Sequence, residues 1–165
     1  MSHDALPLQA SPDQKRARYL EVSASINALL EGEDDWIAAL ATVACELHHA
    51  FEGFDWTGFY RVIAPEMLVI GPYQGTHGCL RIPFTKGVCG AAARTKTTQL
   101  VPDVEAFTGH IACSSTTRSE LVVPLIRDGE VIAVLDIDSN AEAAFDAVDK
   151  QAVEAICASL VTRFR

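Results

Sequence analysis

Apolar residues recur at helical spacing in three stretches of the chain. The first covers residues 12–30 and follows Ser11, which forms a capping-box pattern with Gln14. The second covers residues 35–53, and the third covers residues 146–164. Because apolar residues three or four positions apart share one helix face, each stretch predicts an amphipathic helix packed against a core.

Between the second and the last helix, the pattern changes to short apolar runs rich in β-branched and aromatic residues, which predict strands. The segment Arg127-Asp128-Gly129 lies between the last two runs and is typical of a hairpin turn. A short helix is predicted over residues 87–95. The predicted strands cover residues 55–63, 67–75, 120–126 and 130–138.

The order of the elements is two helices, strands, a short helix, strands and a final helix. This order lacks the regular strand–helix alternation of a doubly wound parallel sheet, so it favours an α+β fold. A length of 165 residues is that of one domain with a sizeable core. We therefore expect a single domain over residues 1–165, with a flexible N-terminal segment at residues 1–10.

Alternation along the last predicted strand places two carboxylates on a common face. The period assigns one face to Val131, Ala133, Leu135 and Ile137, and the other to Ile132, Val134, Asp136 and Asp138. Asp138 alone is consistent with a strand that ends in solvent. Asp136 is flanked by core residues, so its carboxylate needs a partner or a ligand. Two adjacent acids could bind an ammonium group or share a proton and act as a general acid.

The first predicted strand places Trp56, Gly58 and Tyr60 on one face. Two aromatic rings over a glycine could enclose a small apolar group, a sulfur atom or a cation. Ordinary core packing explains the same pattern and is favoured when the strand is considered alone.

The net charge and the hydropathy exclude several classes of partner. With 13 basic and 22 acidic residues, the formal charge is -9 and the isoelectric point is near 4.9. Such a chain is poorly suited to phosphate backbones, so we expect no nucleic-acid binding. The longest apolar stretch has nine residues, from Ile37 to Cys45, and is interrupted by Thr42, and no signal peptide is recognisable. We therefore expect a cytoplasmic protein that does not bind membranes.

The five cysteines fall into two groups. Cys45 and Cys157 lie on or near the apolar stripes of predicted helices, which predicts small core residues. Cys79, Cys89 and Cys113 lie in segments flanked by glycine or serine, where reactive residues are common. Cys89 falls in the first turn of the short helix, whose dipole would favour a thiolate.

Two histidines close to these thiols raise a metal-binding alternative. His77 and Cys79, His110 and Cys113, together with Cys89, could in principle bind zinc. Their spacing matches no common zinc-ligand pattern, so the redox interpretation is preferred. Neither of the common glycine-rich phosphate-binding motifs occurs in the chain.

Seven short motifs in the same order resemble those of the free methionine-(R)-sulfoxide reductase family, a catalytic branch of the GAF-domain fold. The resemblance extends from the first helix to the last. It implies a central antiparallel sheet, with the N- and C-terminal helices packed on one side and an enclosed pocket on the other. The motifs are Asp55-Trp56-Thr57-Gly58-Phe59-Tyr60, Gly71-Pro72-Tyr73-Gln74-Gly75, Arg81-Ile82-Pro83-Phe84, Gly87-Val88-Cys89-Gly90, Gly109-His110-Ile111-Ala112-Cys113, Ser119-Glu120 and Leu135-Asp136-Ile137-Asp138-Ser139.

The resemblance also implies an activity and a set of site residues. The expected reaction is thiol-dependent reduction of free methionine sulfoxide through a cysteine sulfenic acid and an intramolecular disulfide. Cys113 matches the nucleophile, Cys79 the resolving cysteine and Cys89 a third cysteine that could be an alternative resolver. The matches to the substrate-binding group are Trp56, Tyr60, Glu120, Asp136 and Asp138.

Three expectations about partners follow from the same resemblance. No cofactor is expected to be bound, and a dithiol protein such as thioredoxin would reopen the disulfide. GAF domains often pair through their terminal helices, so a homodimer is expected.

The chain departs from the family pattern at Ser114, where an aspartate is common. The main alternative function is a non-catalytic GAF module that senses a small ligand or oxidation.

Overall fold

The computed structural model of the chain describes residues 4–164, with four α-helices and one short 3₁₀ helix. The helices agree with the three predicted amphipathic stretches and with the predicted short helix. The capping box between Ser11 and Gln14 is present. The helices are α1 (Pro12–Leu29), α2 (Trp36–Ala50), α3 (Gly87–Thr95) and α4 (Ala147–Arg163), and the 3₁₀ helix is Val104–Ala106.

Six strands form one antiparallel sheet in the order β3-β2-β1-β6-β5-β4. The predicted α+β class with a central antiparallel sheet is confirmed. Two three-residue edge strands and the 3₁₀ helix were not predicted, because such short segments carry no readable period. The strands are β1 (Trp56–Ala64), β2 (Met67–Gln74), β3 (Arg81–Pro83), β4 (Gln99–Val101), β5 (Ser119–Arg127) and β6 (Glu130–Ser139).

One face of the sheet is covered by the N- and C-terminal helices. Phe59 of β1 and Leu135 and Ile137 of β6 point to this side and are fully buried against side chains of α2 and α4. The burial of such apolar side chains stabilises the fold by roughly 25 cal/mol per Å² of surface removed from water. We call this side the helical face of the sheet.

The other face carries a smaller core, formed with α3 and the segments that follow β2 and the 3₁₀ helix. The strand period predicted that Val131 lies on the helical face and Ile132 on the opposite one, and this is wrong. The pairing of β5 with β6 shifts between Leu125 and Ile126, which exchanges the faces of the residues that precede Ala133. From Ala133 onward the predicted alternation holds.

Part of the predicted flexible N-terminal segment is described. Leu6 donates a backbone hydrogen bond to Ala50 at 2.8 Å and accepts one from Glu52 at 2.9 Å. Residues 1–3 of that segment lie outside the described residues. Among the described helices, none has both the length and the apolar composition required to cross a bilayer.

Candidate active site

Three neighbouring strands bring predicted site residues into two rows on the face opposite the helices. Trp56 of β1 pairs with Asp138 of β6, which pairs in turn with Glu120 of β5. In the next row, Gly58 pairs with Asp136. Because directly paired residues project from the same face, the register gathers three carboxylates beside an aromatic ring.

The carboxylate oxygens of Glu120, Asp136 and Asp138 lie within 4.8 Å of one another. Glu120 and Asp136 are buried, and Asp138 is partly buried. The Oδ1 atoms of both aspartates are shielded from solvent and find no hydrogen-bond partner among the described residues. Buried polar atoms without partners are costly, so this cluster is arranged to receive a ligand.

Burial and mutual repulsion favour protonation of the cluster. Burial, followed by the charge of Glu120, raises the pKa of Asp136 well above its usual value of 3.8. Burial, followed by the charges of Asp136 and Glu120, raises the pKa of Asp138 in the same direction. Closely spaced carboxyls in a low-dielectric site share protons, so the cluster can supply a general acid at neutral pH.

A stack of three aromatic rings forms the wall next to the carboxylates. The ring of Trp56 lies between Tyr60, at a centroid distance of 5.8 Å, and Tyr73, at 5.3 Å. A methyl group at Gly58 would lie only 2.5 Å from the Trp56 ring, so glycine makes room for the indole. The space predicted between the two rings is therefore filled by the stack, and the ligand cavity lies beside it. The indole nitrogen of Trp56 donates to the carbonyl of Thr76 at 2.8 Å.

Cys79 and Cys113 are joined by a disulfide, with their Cα atoms 5.4 Å apart. Cys79 lies after β2, and Cys113 lies 34 residues further along, between the 3₁₀ helix and β5. The bond joins two segments that are both outside helices and strands. Among the described residues, Cys113 and Cys89 line the cavity, whereas Cys79 does not.

Cys89 is buried in the first turn of α3 and faces the carboxylates. The sequence predicted that the helix dipole would favour its thiolate, and this is wrong. Burial and the nearby charges of Asp136, Glu120 and Asp138 raise the pKa of the Cys89 thiol well above its usual value. Desolvation and three negative neighbours outweigh the partial charge of one helix end.

The two remaining cysteines differ in their surroundings. Cys157 is a buried core residue, as predicted, and burial raises the pKa of its thiol. The same prediction for Cys45 is wrong, because it lies at the edge of the buried stripe of α2, is only partly buried and is not a member of the core cluster. Its Sγ atom lies 3.7 Å from Nδ1 of His49, one helical turn further along.

The cavity has a volume of about 150 Å³ and brings the predicted site residues together. All eight predicted residues line it or, for Cys79, are bonded to a residue that does. Sequence reasoning missed His110 as a site residue in its own right and considered it only as a zinc ligand. Its position three residues before Cys113 was a signal that could have identified it. Other unpredicted lining residues include Asp55, His77, Thr117 and Asn140.

The zinc alternative is not supported within residues 4–164. The histidines and cysteines considered for it do not come together as a group of three ligands, and two of the thiols are used in the disulfide. The three carboxylates are the one group of three possible ligands in that range, and their setting among thiols and aromatic rings fits an organic substrate better.

The fold and the cavity define a GAF domain, and residues 35–163 match the GAF domain family. Free methionine-R-sulfoxide reductase of Saccharomyces cerevisiae is 41% identical over 92% of this chain and 89% of its own length. The protein of the same name from Escherichia coli is 39% identical over 86% of each chain.

A solved structure gives the same result in three dimensions. The X-ray structure of free methionine-R-sulfoxide reductase from Neisseria meningitidis in complex with its substrate has a TM-score of 0.88 and 45% identity. The match covers 98% of this chain and 95% of that one. The chain therefore belongs to the free methionine-R-sulfoxide reductase family of GAF-domain proteins.

Proposed function

We propose that this protein reduces free L-methionine-(R)-sulfoxide to L-methionine, with Cys113 as the nucleophile and Cys79 as the resolving cysteine. The observation that carries the proposal is the Cys79–Cys113 disulfide, which borders the cavity that holds the carboxylate cluster. The names of the yeast, Escherichia coli and Neisseria relatives support the same substrate. On this proposal, residues 1–165 form one catalytic domain.

In the first step, the Cys113 thiolate attacks the sulfur of the sulfoxide. The sulfoxide oxygen takes up a proton from the carboxylate cluster and is transferred to Cys113, and methionine leaves. Cys113 is then a sulfenic acid, oxidised by two electrons, and the substrate sulfur has been reduced by two. The protonated carboxyl of Asp136 or Asp138 is suited to this proton transfer, because burial raises the pKa of both groups.

In the second step, the Cys79 thiolate attacks the sulfenic sulfur and the disulfide forms, while the sulfenic hydroxyl takes up a proton and leaves as water. The 5.4 Å separation of the two Cα atoms supports this pairing, because it lies within the usual range for a disulfide. No bound cofactor takes part in either step. A dithiol reductant of the thioredoxin type then returns two electrons and frees both thiols.

The cavity offers complementary groups for the two ends of the substrate. Of Glu120, Asp136 and Asp138, the carboxylates that keep their negative charge suit its ammonium group, and the rings of Trp56 and Tyr60 suit its methyl-sulfur end. A volume of about 150 Å³ favours a single free amino acid over a residue within a peptide chain. We assign Cys89 a supporting role as an alternative resolving thiol, which becomes reactive only when the site opens.

The partners belong to the same proposal. The cytoplasm keeps dithiol reductants available, so we place the reaction there. We also propose a homodimer that pairs through the terminal helices. Exposed Leu20 and Leu29 on α1 support that interface, since burial in a dimer would remove their apolar surface from water.

The direct test is turnover of free Met-(R)-sulfoxide with dithiothreitol as the reductant. The native protein should release methionine, and Cys113→Ser should lower kcat/KM by at least about a thousandfold, because it removes the nucleophile. Cys45→Ser is the matched control and should retain native activity. Full turnover by Cys113→Ser would overturn the proposal. Binding of the sulfoxide by the native protein without turnover would support the sensor alternative instead.

A further inference from the structure

His110 contacts the carboxylate cluster from the segment that carries the proposed nucleophile. Its Nε2 atom lies 3.3 Å from Oε1 of Glu120, and both side chains are largely buried, with 16% and 10% of their surface exposed. His110 lies on residues 107–118, which connect the 3₁₀ helix to β5, whereas Glu120 lies on β5 itself. The contact therefore joins the segment that carries Cys113 to a strand of the sheet.

The titratable groups that line the cavity with His110 are mostly acidic. Besides Glu120, the cavity presents Asp136 and Asp138 from β6, Asp55 from the start of β1 and Cys89 from α3. The other titratable lining groups are His77, after β2, and Tyr60, on β1. Within the part of the chain that is described, no Lys or Arg forms an ion pair with the three clustered carboxylates. Among the described residues, His110 is the basic side chain that pairs with a carboxylate of the cluster.

Backbone contacts link His110 to the geometry of the thiol segment. Its amide donates to the carbonyl of Phe107 at 3.2 Å, and the carbonyl of Gly109 accepts from Gly87 at the start of α3 at 2.9 Å. Cys113 follows His110 by three residues. The His110–Glu120 contact is therefore one of the contacts that hold the Cys113 segment beside α3 and the cluster.

We propose that His110 is a positioning residue whose imidazolium pairs with Glu120, holding the Cys113 segment closed over the carboxylate cluster and keeping the negative charge of the cluster on Glu120. The inference rests on the proposed reductase function, since it assigns His110 a role in that reaction. With the charge held on Glu120, the proton of the cluster is left on Asp136 or Asp138, where the sulfoxide oxygen would receive it.

The electrostatics agree with this arrangement. The hydrogen bond to Glu120 raises the pKa of His110 above its usual value of 6.5, and the charge of Glu120 acts in the same direction against the effect of burial. The imidazolium is therefore present below that raised pKa and is lost as the pH rises through it. The pairing, and the closure that depends on it, should weaken over the same pH range.

A double-mutant cycle tests whether His110 acts through Glu120. His110→Gln should lower kcat/KM by about tenfold, since it removes a charge-assisted hydrogen bond. In the Glu120→Gln background, the same change should have less than about a twofold effect, because the partner charge is already absent. His49→Gln, on α2 and away from the cavity, is the matched control and should be neutral. Circular dichroism spectra of His110→Gln and of a second variant, His110→Asn, check that a loss of kcat/KM is not caused by a loss of folding.

Histidine titration by NMR gives a readout that does not depend on turnover. In the native protein, the pKa of His110 should lie above 6.5, and Glu120→Gln should lower it. If the native protein does not turn over the sulfoxide but this titration shift appears, the proposed function fails while the ion pair stands. Equal losses of activity in both backgrounds, no loss in either, or an unchanged His110 titration in Glu120→Gln would each overturn the positioning role.

Discussion

Two groups of carboxylates lie on opposite sides of the sheet, and their surroundings differ. On the helical face, Asp146 and Asp149 at the start of α4 meet Lys15 of α1. On the cavity face, Glu120 and Asp136 belong to a cluster that forms no ion pair with Lys or Arg within residues 4–164.

The group on the helical face is satisfied within the fold. Lys15 Nζ lies 2.5 Å from Asp149 and 3.0 Å from Asp146, and the Tyr19 hydroxyl donates to Asp149 at 2.8 Å. Asp149 also accepts the amide hydrogen of Asp146 in the capping box of α4. The buried carboxylate of Asp149 finds its hydrogen-bond partners within the fold. It therefore links α1 to α4 and does not need a ligand.

The carboxylates of the cavity, by comparison, lack some of their hydrogen-bond partners. Asp136 and Asp138 each keep an oxygen without a partner among the described residues, and one imidazole contacts Glu120. Carboxylates thus stabilise the packing of two helices on one face of the sheet and line the candidate active site on the other. The difference lies in whether the fold supplies the opposite charge.

Of the substitutions that test this comparison, Lys15→Met should have the largest effect, and the effect should be on stability. Removal of the ammonium leaves Asp149, which is 1% exposed, as an uncompensated buried charge, so the free energy of unfolding should fall by about 3–5 kcal/mol. The kcat/KM of the folded enzyme should stay within about twofold of native, because Lys15 lies across the sheet from the cavity. Chemical denaturation and a turnover assay measure the two quantities.

Arg16→Met is the control for that change. Arg16 pairs with Asp13 on the exposed side of α1, and such surface pairs contribute about 0–1 kcal/mol. An equal loss of stability in both variants would remove the distinction drawn for the buried group.

The reciprocal effect is expected for Asp136→Asn on the cavity face. The amide cannot donate an acidic proton, so kcat/KM should fall by about a hundredfold, the size usual for general acid catalysis. Asp128→Asn makes the same chemical change in the β5–β6 hairpin turn and should leave kcat/KM unaltered. Native activity in Asp136→Asn would exclude Asp136 from the proposed proton transfer.

The smallest effect should appear in the pH dependence of the stability of the same variant. The folded chain keeps a proton on Asp136, since burial raises its pKa, whereas the unfolded chain loses that proton near pH 4. The folded state thus binds more protons, and the native free energy of unfolding should fall as the pH rises from about 4 toward neutrality. Denaturation curves of Asp136→Asn should show a shallower fall, and identical slopes would argue against a raised pKa.

The contrast between the two faces was partly predictable from the sequence. Strand alternation predicted that Asp136 and Asp138 share a face, and the structure confirms it because β6 is regular from Ala133 onward. The same rule failed for Val131, where a register shift that no local pattern signals exchanges the faces.

Contacts between distant segments were beyond the reach of local patterns. Lys15 and Asp149 are 134 residues apart in the sequence. Each is a charged residue on an amphipathic helix, and the local pattern is equally consistent with an exposed position. The contact of His110 with Glu120 depends on the path of an irregular segment, which carries no period. Local rules therefore find the carboxylates, while the tertiary fold decides which of them are neutralised.

The central claim is that Cys113 and Cys79 are the redox pair of this cavity, and disulfide mapping after one turnover tests it most directly. The reduced protein would be given one equivalent of free Met-(R)-sulfoxide without a reductant, alkylated, digested and examined by mass spectrometry. The expected result is one methionine released per chain, a Cys79–Cys113 disulfide and an alkylated Cys89. A Cys89–Cys113 disulfide as the main product with Cys79 alkylated, or methionine release with all three thiols alkylated, would contradict the account.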